Sequence, residues 1–130
     1  MKDQNKLYLH ILIGICSLAL AFHLLILIKA IPFENTWGGK LKSDQEMYVF
    51  EFLSMAINTF FLYVLLQKGN YVKPFFSEKL ISIILWTFFA IFSLNTIGNL
   101  FSETIFEKSF SIFTLLNAVL IWLINKPTLR

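Results

Sequence analysis

Residues 7–28 read LYLHILIGICSLALAFHLLILI, twenty-two positions without an Asp, Glu, Lys or Arg. A bilayer core is about 30 Å thick, so a spanning helix at 1.5 Å per residue needs about 20 apolar residues. This run meets that length. It also has no polar face of the kind a soluble helix turns toward water. Three further runs follow: 47–67 carries one charged residue, Glu51, 80–102 carries none, and 109–125 carries none but is the shortest. The last is expected to extend into its flanks or to stand with little tilt. The first run was weighed against a signal peptide, because Lys2 and Lys6 precede it and Ala19-Leu20-Ala21 resembles a cleavage site. The apolar run continues through residues 22–28 after that site, which favours an uncleaved helix.

The composition agrees with these runs. Of 130 residues 57% are hydrophobic and 15% charged, whereas soluble domains carry about 25% charged residues. The 15 Phe are spread along the chain rather than gathered in one segment. The length suits one domain, a single integral membrane domain over residues 1–130. The net charge of +3 comes with no basic run and no basic helical face. Nucleic acid is therefore not an expected partner, and lipid headgroups explain the lysines better. Cys16 lies inside an apolar run and is read as a small buried hydrophobe. With one cysteine in the chain, redox compartment cannot be inferred.

Helix boundaries come from local chemistry. Ser43-Asp44-Gln45-Glu46 fits a capping box, in which the Ser43 hydroxyl accepts from the Glu46 amide and the Glu46 carboxylate reaches back to the Ser43 amide. The second helix then starts at Asp44 and ends near Lys68, with Gly69 or Asn70 suited to a left-handed cap. Ser77 caps the third helix after the break at Pro74, and Pro127 stops the fourth. The helices are expected at about 7–29, 44–68, 78–102 and 109–126. The fold class is all-α, a four-helix transmembrane bundle with up-down-up-down topology, since three connections are short.

Basic residues set the orientation. With the N-terminus inside, the cytoplasmic segments hold Lys2, Lys6, Lys68, Lys73, Lys79, Lys126 and Arg130, and the outer segments hold Lys29, Lys40, Lys42 and Lys108. Seven against four favours both termini in the cytoplasm, in the cell membrane. The longer outer connection, about residues 29–42, holds Trp37, Gly38 and Gly39. It reads either as an interfacial turn anchored by an aromatic or as a lid over a site between helices.

Polar residues at membrane depth are costly, so each is a site candidate. Glu51 lies seven residues past Asp44, about 10 Å along the helix. Glu51, Ser54 and Asn58 share one helical stripe, which should face protein or water because lipid cannot satisfy it. His23 lies about 9 Å short of Lys29. Asn95 and Asn99 are spaced i, i+4 beside Gly98, which would allow close packing. Thr114 and Asn117 fall in the outer half of the fourth helix. By depth, Glu51, His23, Asn95, Asn99 and Asn117 could converge there. The bland alternatives stand beside this: a snorkelling or protonated Glu51, a packed His23, and asparagines that only join helices. His10 is expected near the inner headgroups. Gly14, Ser17 and Ala21 read as a packing groove, and Trp86 and Trp122 as core or interface aromatics.

No metal motif, phosphate loop or nucleophile–base spacing is present in the sequence, so no metal or cofactor is assigned and an enzyme is the less favoured class. The first helix lacks a carboxylate, which removes the analogy to small multidrug exporters. The runs Phe22-His23-Leu24-Leu25, Ile31-Pro32-Phe33 and Trp37-Gly38-Gly39-Lys40-Leu41, with Glu51 and Asn58, and Asn95-Thr96-Ile97-Gly98-Asn99-Leu100-Phe101 with Glu107-Lys108, resemble a group of small bacterial membrane proteins with four predicted spans. That resemblance implies topology and a bacterial origin, and carries no activity. Three functional readings stay open: binding or moving a cation, proton or small polar ligand at the outer cluster; a structural or accessory subunit, as a homo-oligomer or with a membrane partner; and an intramembrane enzyme acting on lipid or quinone.

Overall fold

The computed structural model describes residues 3–36 and 40–127. Its elements are α1 (Asp3–Leu27), a 3-10 turn (Phe33–Asn35), α2 (Asp44–Lys68), α3 (Glu78–Leu100) and α4 (Ile105–Asn125). Among the described residues there is no strand, and all four α-helices are long and apolar enough to cross a membrane. α3 packs most extensively on α4, and α1 on α2. Contacts of α1 with α4 and of α2 with α3 close the ring. The result is an up-down-up-down bundle. Its proximal end is where α1 begins and α4 finishes; its distal end carries the α1–α2 connection and the α3–α4 turn.

Local chemistry explains the helix limits. Ser43 accepts from the Glu46 amide at 3.2 Å, and α2 starts at Asp44 as expected. The Glu46 carboxylate accepts from the Lys42 amide at 2.8 Å, one residue before the amide expected from the sequence. α4 starts at Ile105 rather than near Ser109. Thr104 accepts from the Glu107 amide at 3.2 Å, a second Ser/Thr-x-x-Glu cap that adds a full turn before the apolar run. α1 begins at Asp3, where a carboxylate favours a helix N-terminus. α2 closes with the Asn70 amide on the Gln67 carbonyl and the Tyr71 amide on the Leu66 carbonyl. Asn70 takes the left-handed position, φ 59°, and Gly69 stays right-handed. The same bond pattern ends α1, with Lys29 at φ 60°. A Cβ added at Gly69 would stand 2.3 Å from the half-exposed Tyr71 ring and 2.9 Å from the buried Leu9 side chain, so both would have to shift.

The main core fills the proximal half. Leu9, Leu12 and Cys16 meet Phe61, Val64 and Leu65, then Ile81, Leu85 and Phe88, then Leu120, Ile121 and Ile124. Phe61 is enclosed by Phe88 and Phe92, with ring centroids 4.4 and 5.5 Å away. A smaller cluster of Ile26, Leu41 and Met47, backed by Phe22, Ile31 and Phe33, closes the distal end. The perimeter is as apolar as the core: Leu18, Val49, Phe52, Leu94 and Ile112 are all more than 60% exposed. In water such a surface would aggregate; in a bilayer it is the solvated face.

Polar side chains along the helices return to their own backbone. Ser17, Thr87, Ser93 and Thr96 donate to carbonyls four residues earlier, at 2.8 to 3.0 Å. This satisfies them where water is absent. The Thr96 and Thr114 hydroxyls lie 2.9 Å apart and join α3 to α4. Gly14, Ser17 and Ala21 lie on an exposed face, and nothing comes within 4 Å of a Cβ at Gly14 or Gly98. Neither position is a packing groove within this chain, because α1 and α3 meet their neighbours through their bulkier stripes. Trp86 packs edge-on against Phe89, and Trp122 lies beneath the Lys126 ammonium.

Candidate binding cavity

Glu51 is completely buried. It sits on the inward stripe of α2, one turn beyond Met47 and ahead of Ser54 and Asn58, so the polar stripe read from the sequence does face protein. Burying a lone carboxylate would be prohibitive, and α1 supplies its partner. His23 Nδ1 lies 2.6 Å from Glu51 Oε2. One proton holds that contact, whether it resides on nitrogen or oxygen.

The pair borders a cavity of about 170 Å³ at the distal end, lined also by Phe22, Ile26, Thr36, Asn99, Phe106, Glu107 and Phe110. About 10–15 Å³ of such space admits one water, so this volume takes several waters or a small organic ligand. α1 contributes Phe22, His23 and Ile26, α2 Glu51, α3 Asn99, and α4 Phe106, Glu107 and Phe110. The connection contributes Thr36, which is buried and held by its hydroxyl and amide on the Phe33 carbonyl at 2.8 and 2.9 Å. Glu107 is half-buried, and its carboxylate accepts from the Thr104 hydroxyl at 3.0 Å.

Of the residues singled out by depth, His23, Glu51 and Asn99 line this cavity. Asn95 does not; it is exposed. The inward stripe of α3 runs Ile81, Leu85, Phe88, Phe92, Thr96, Asn99, and Asn95 falls one position off it. Asn117 is buried, but its amide donates to the Phe113 carbonyl at 2.8 Å and it lies outside the lining. Asn58 likewise donates to the Ser54 carbonyl at 2.9 Å, while its own carbonyl accepts from the Cys16 thiol at 3.3 Å. Trp37, Gly38 and Gly39, the candidate lid, lie outside the described residues.

The reading by depth missed Thr36, Glu107 and the three phenylalanines. Thr104-x-x-Glu107 carried the signal for Glu107. Starting α4 at Ile105 puts Glu107 in its first turn and sets Phe106 and Phe110 one turn apart, 5.1 Å between centroids. Phe110 also meets Phe22 of α1 at 5.7 Å.

Outside the spans, the Lys29 ammonium donates to Asp44, tying the two ends of the connection together. That hydrogen bond raises the Lys29 pKa, against a smaller opposing effect of desolvation. Comparison with protein-family models, curated proteins and solved structures returned no match.

Proposed function

We propose that this chain is a small multi-pass protein of a bacterial cytoplasmic membrane that binds or moves a cation, proton or small polar ligand at the Glu51–His23 cavity. The observation that carries this reading is a wholly buried carboxylate, paired with a histidine, at the wall of a cavity large enough for a ligand. The Thr96–Thr114 pair, by contrast, joins two helices without lining that cavity. The excess of basic residues beside the proximal end supports both termini in the cytoplasm and a cavity at the outward-facing end.

The test is Glu51→Gln. A binder stabilises the folded state by RT ln(1 + [L]/Kd), so wild-type protein in detergent should melt higher with a bound ion or small ligand. A screen of sodium, potassium, ammonium, small amines and small polar solutes should give a shift that Glu51→Gln removes, with expression and elution unchanged. The same shift in that variant would sink the proposal.

A second reading, an oligomeric or accessory subunit, is favoured by Asn95. It is a polar side chain on the exposed face of α3, flanked by the exposed Ile91 and Leu94. In lipid, such a group gains by bonding to another helix. Asn95→Leu would then convert an oligomer in detergent to a monomer by light scattering. A wild-type chain that is already monomeric would overturn this reading.

A further inference from the structure

Resting on the reading of the cavity as a binding site, we infer that its ligand is a small organic ammonium ion, held by carboxylates on one side and phenyl rings on the other. The lining's charge supports a cation. Glu51 and Glu107 put two carboxylates on the lining, Glu51 bonded to His23, and no Lys or Arg is among the lining residues. An anion would meet those carboxylates with no Lys or Arg to offset them.

The lining's chemistry then separates organic from inorganic cations. No group of three or more His, Cys, Asp or Glu able to hold a metal ion exists among the described residues. Four of the nine lining residues are instead apolar: Phe22, Phe106, Phe110 and Ile26. A bare metal ion gains little from them, whereas an alkylated ammonium spreads its charge over methyl or methylene groups that suit phenyl rings. The cavity's ~170 Å³ far exceeds a dehydrated ion and accommodates a few carbons around a nitrogen. Asn99 and Thr36 add neutral polar groups that could bond a hydroxyl or an N–H on the same ligand.

The experiment uses the full chain in detergent micelles and calorimetric titration with four probes: choline, methylammonium, potassium, and 3,3-dimethyl-1-butanol, the uncharged isostere of choline. Choline or methylammonium should bind, and the alcohol should not. Phe110→Leu, which keeps an apolar side chain but removes the ring, should weaken ammonium binding roughly threefold to thirtyfold. Glu107→Gln should weaken it about threefold or more, with both variants eluting as wild type. Equal affinity for choline and its alcohol isostere would overturn the ammonium assignment, as would unchanged binding in both variants. Potassium binding that depends on Glu51, with no ammonium binding, would remove the assignment and leave the site standing. If no probe binds, the ammonium assignment falls, and the Glu51-dependent melting shift decides separately whether the site stands.

Discussion

The two ends of the bundle each bury polar side chains, and they use them differently. At the proximal end, Gln67 is buried on α2 and its Oε1 accepts from the Phe75 and Phe76 amides at 3.1 and 3.0 Å. Asn125 on α4 donates to the Ser82 carbonyl at 2.9 Å and so ties α4 to α3. Gln67 thereby satisfies backbone amides that would otherwise be stranded where α2 turns into α3. The distal end buries a carboxylate and an imidazole that satisfy one another at a cavity wall. Burial alone therefore does not mark a functional site in this molecule. What separates the ends is whether the polar group serves the chain's own backbone or faces open space.

The contrast can be broken first in the proximal core. Phe61→Ala should destabilise the fold by about 3–5 kcal/mol, since Phe61 is buried against two rings. Chemical unfolding in detergent would measure this, and a loss below about 1 kcal/mol would mean that the proximal half is not the principal core.

Gln67→Leu keeps the bulk but strands two part-buried amides, a cost of about 2 kcal/mol. It should leave ligand binding at the distal end unaltered. Coupled loss of stability and binding would dissolve the distinction between the ends.

Glu51→Gln should cost about 1 kcal/mol or less in the same unfolding assay. The amide retains a hydrogen bond to His23. A loss of several kcal/mol would make Glu51 a structural residue like Gln67.

Gly69→Ala sharpens the proximal side. The new methyl meets the half-exposed Tyr71 ring, which can swing aside, and the His10–Tyr71 hydrogen bond is lost. An effect of about 0.5–1 kcal/mol is expected; in Gly69→Ala/Tyr71→Ala the part due to Tyr71 should vanish, leaving only the contact with Leu9.

The smallest effect belongs to Lys29→Met. The Lys29 pKa is raised in the fold, so its contribution is complete below the ordinary lysine value of about 10.4 and lost as pH rises through the folded value. Melting temperatures of wild type and variant should differ slightly at pH 8 and converge as pH rises past the raised Lys29 value. A gap that widens with pH would contradict the pairing with Asp44.

Much of this architecture was legible in the sequence. Ser43 and Ser77 marked two helix starts, and the stripe of Glu51, Ser54 and Asn58 marked one inward face. Thr104 marks a third start by the same rule, but its turn precedes the apolar run, so hydropathy alone does not reach it. The faces of α3 were not legible. Asn95 and Asn99 share a helical spacing, yet Asn99 lines the cavity and Asn95 is exposed. A soluble helix would have revealed its inward face by contrast with charged positions. Here Ile91, Leu94 and Ile97 are as apolar as Ile81, Leu85 and Phe88, although the first three are exposed and the last three buried.

The sequence by itself determined four helices, their approximate lengths and several of their ends. The reason is that spanning length and backbone satisfaction are properties of a single segment, settled before any neighbour arrives. Tertiary structure alone decided that His23 stands against Glu51, that Asn99 rather than Asn95 joins them, and that α4 brings a carboxylate between two phenylalanines. Those are relations between helices rotated about their own axes, and lipid, as apolar as the core, leaves no mark in the sequence to set that rotation.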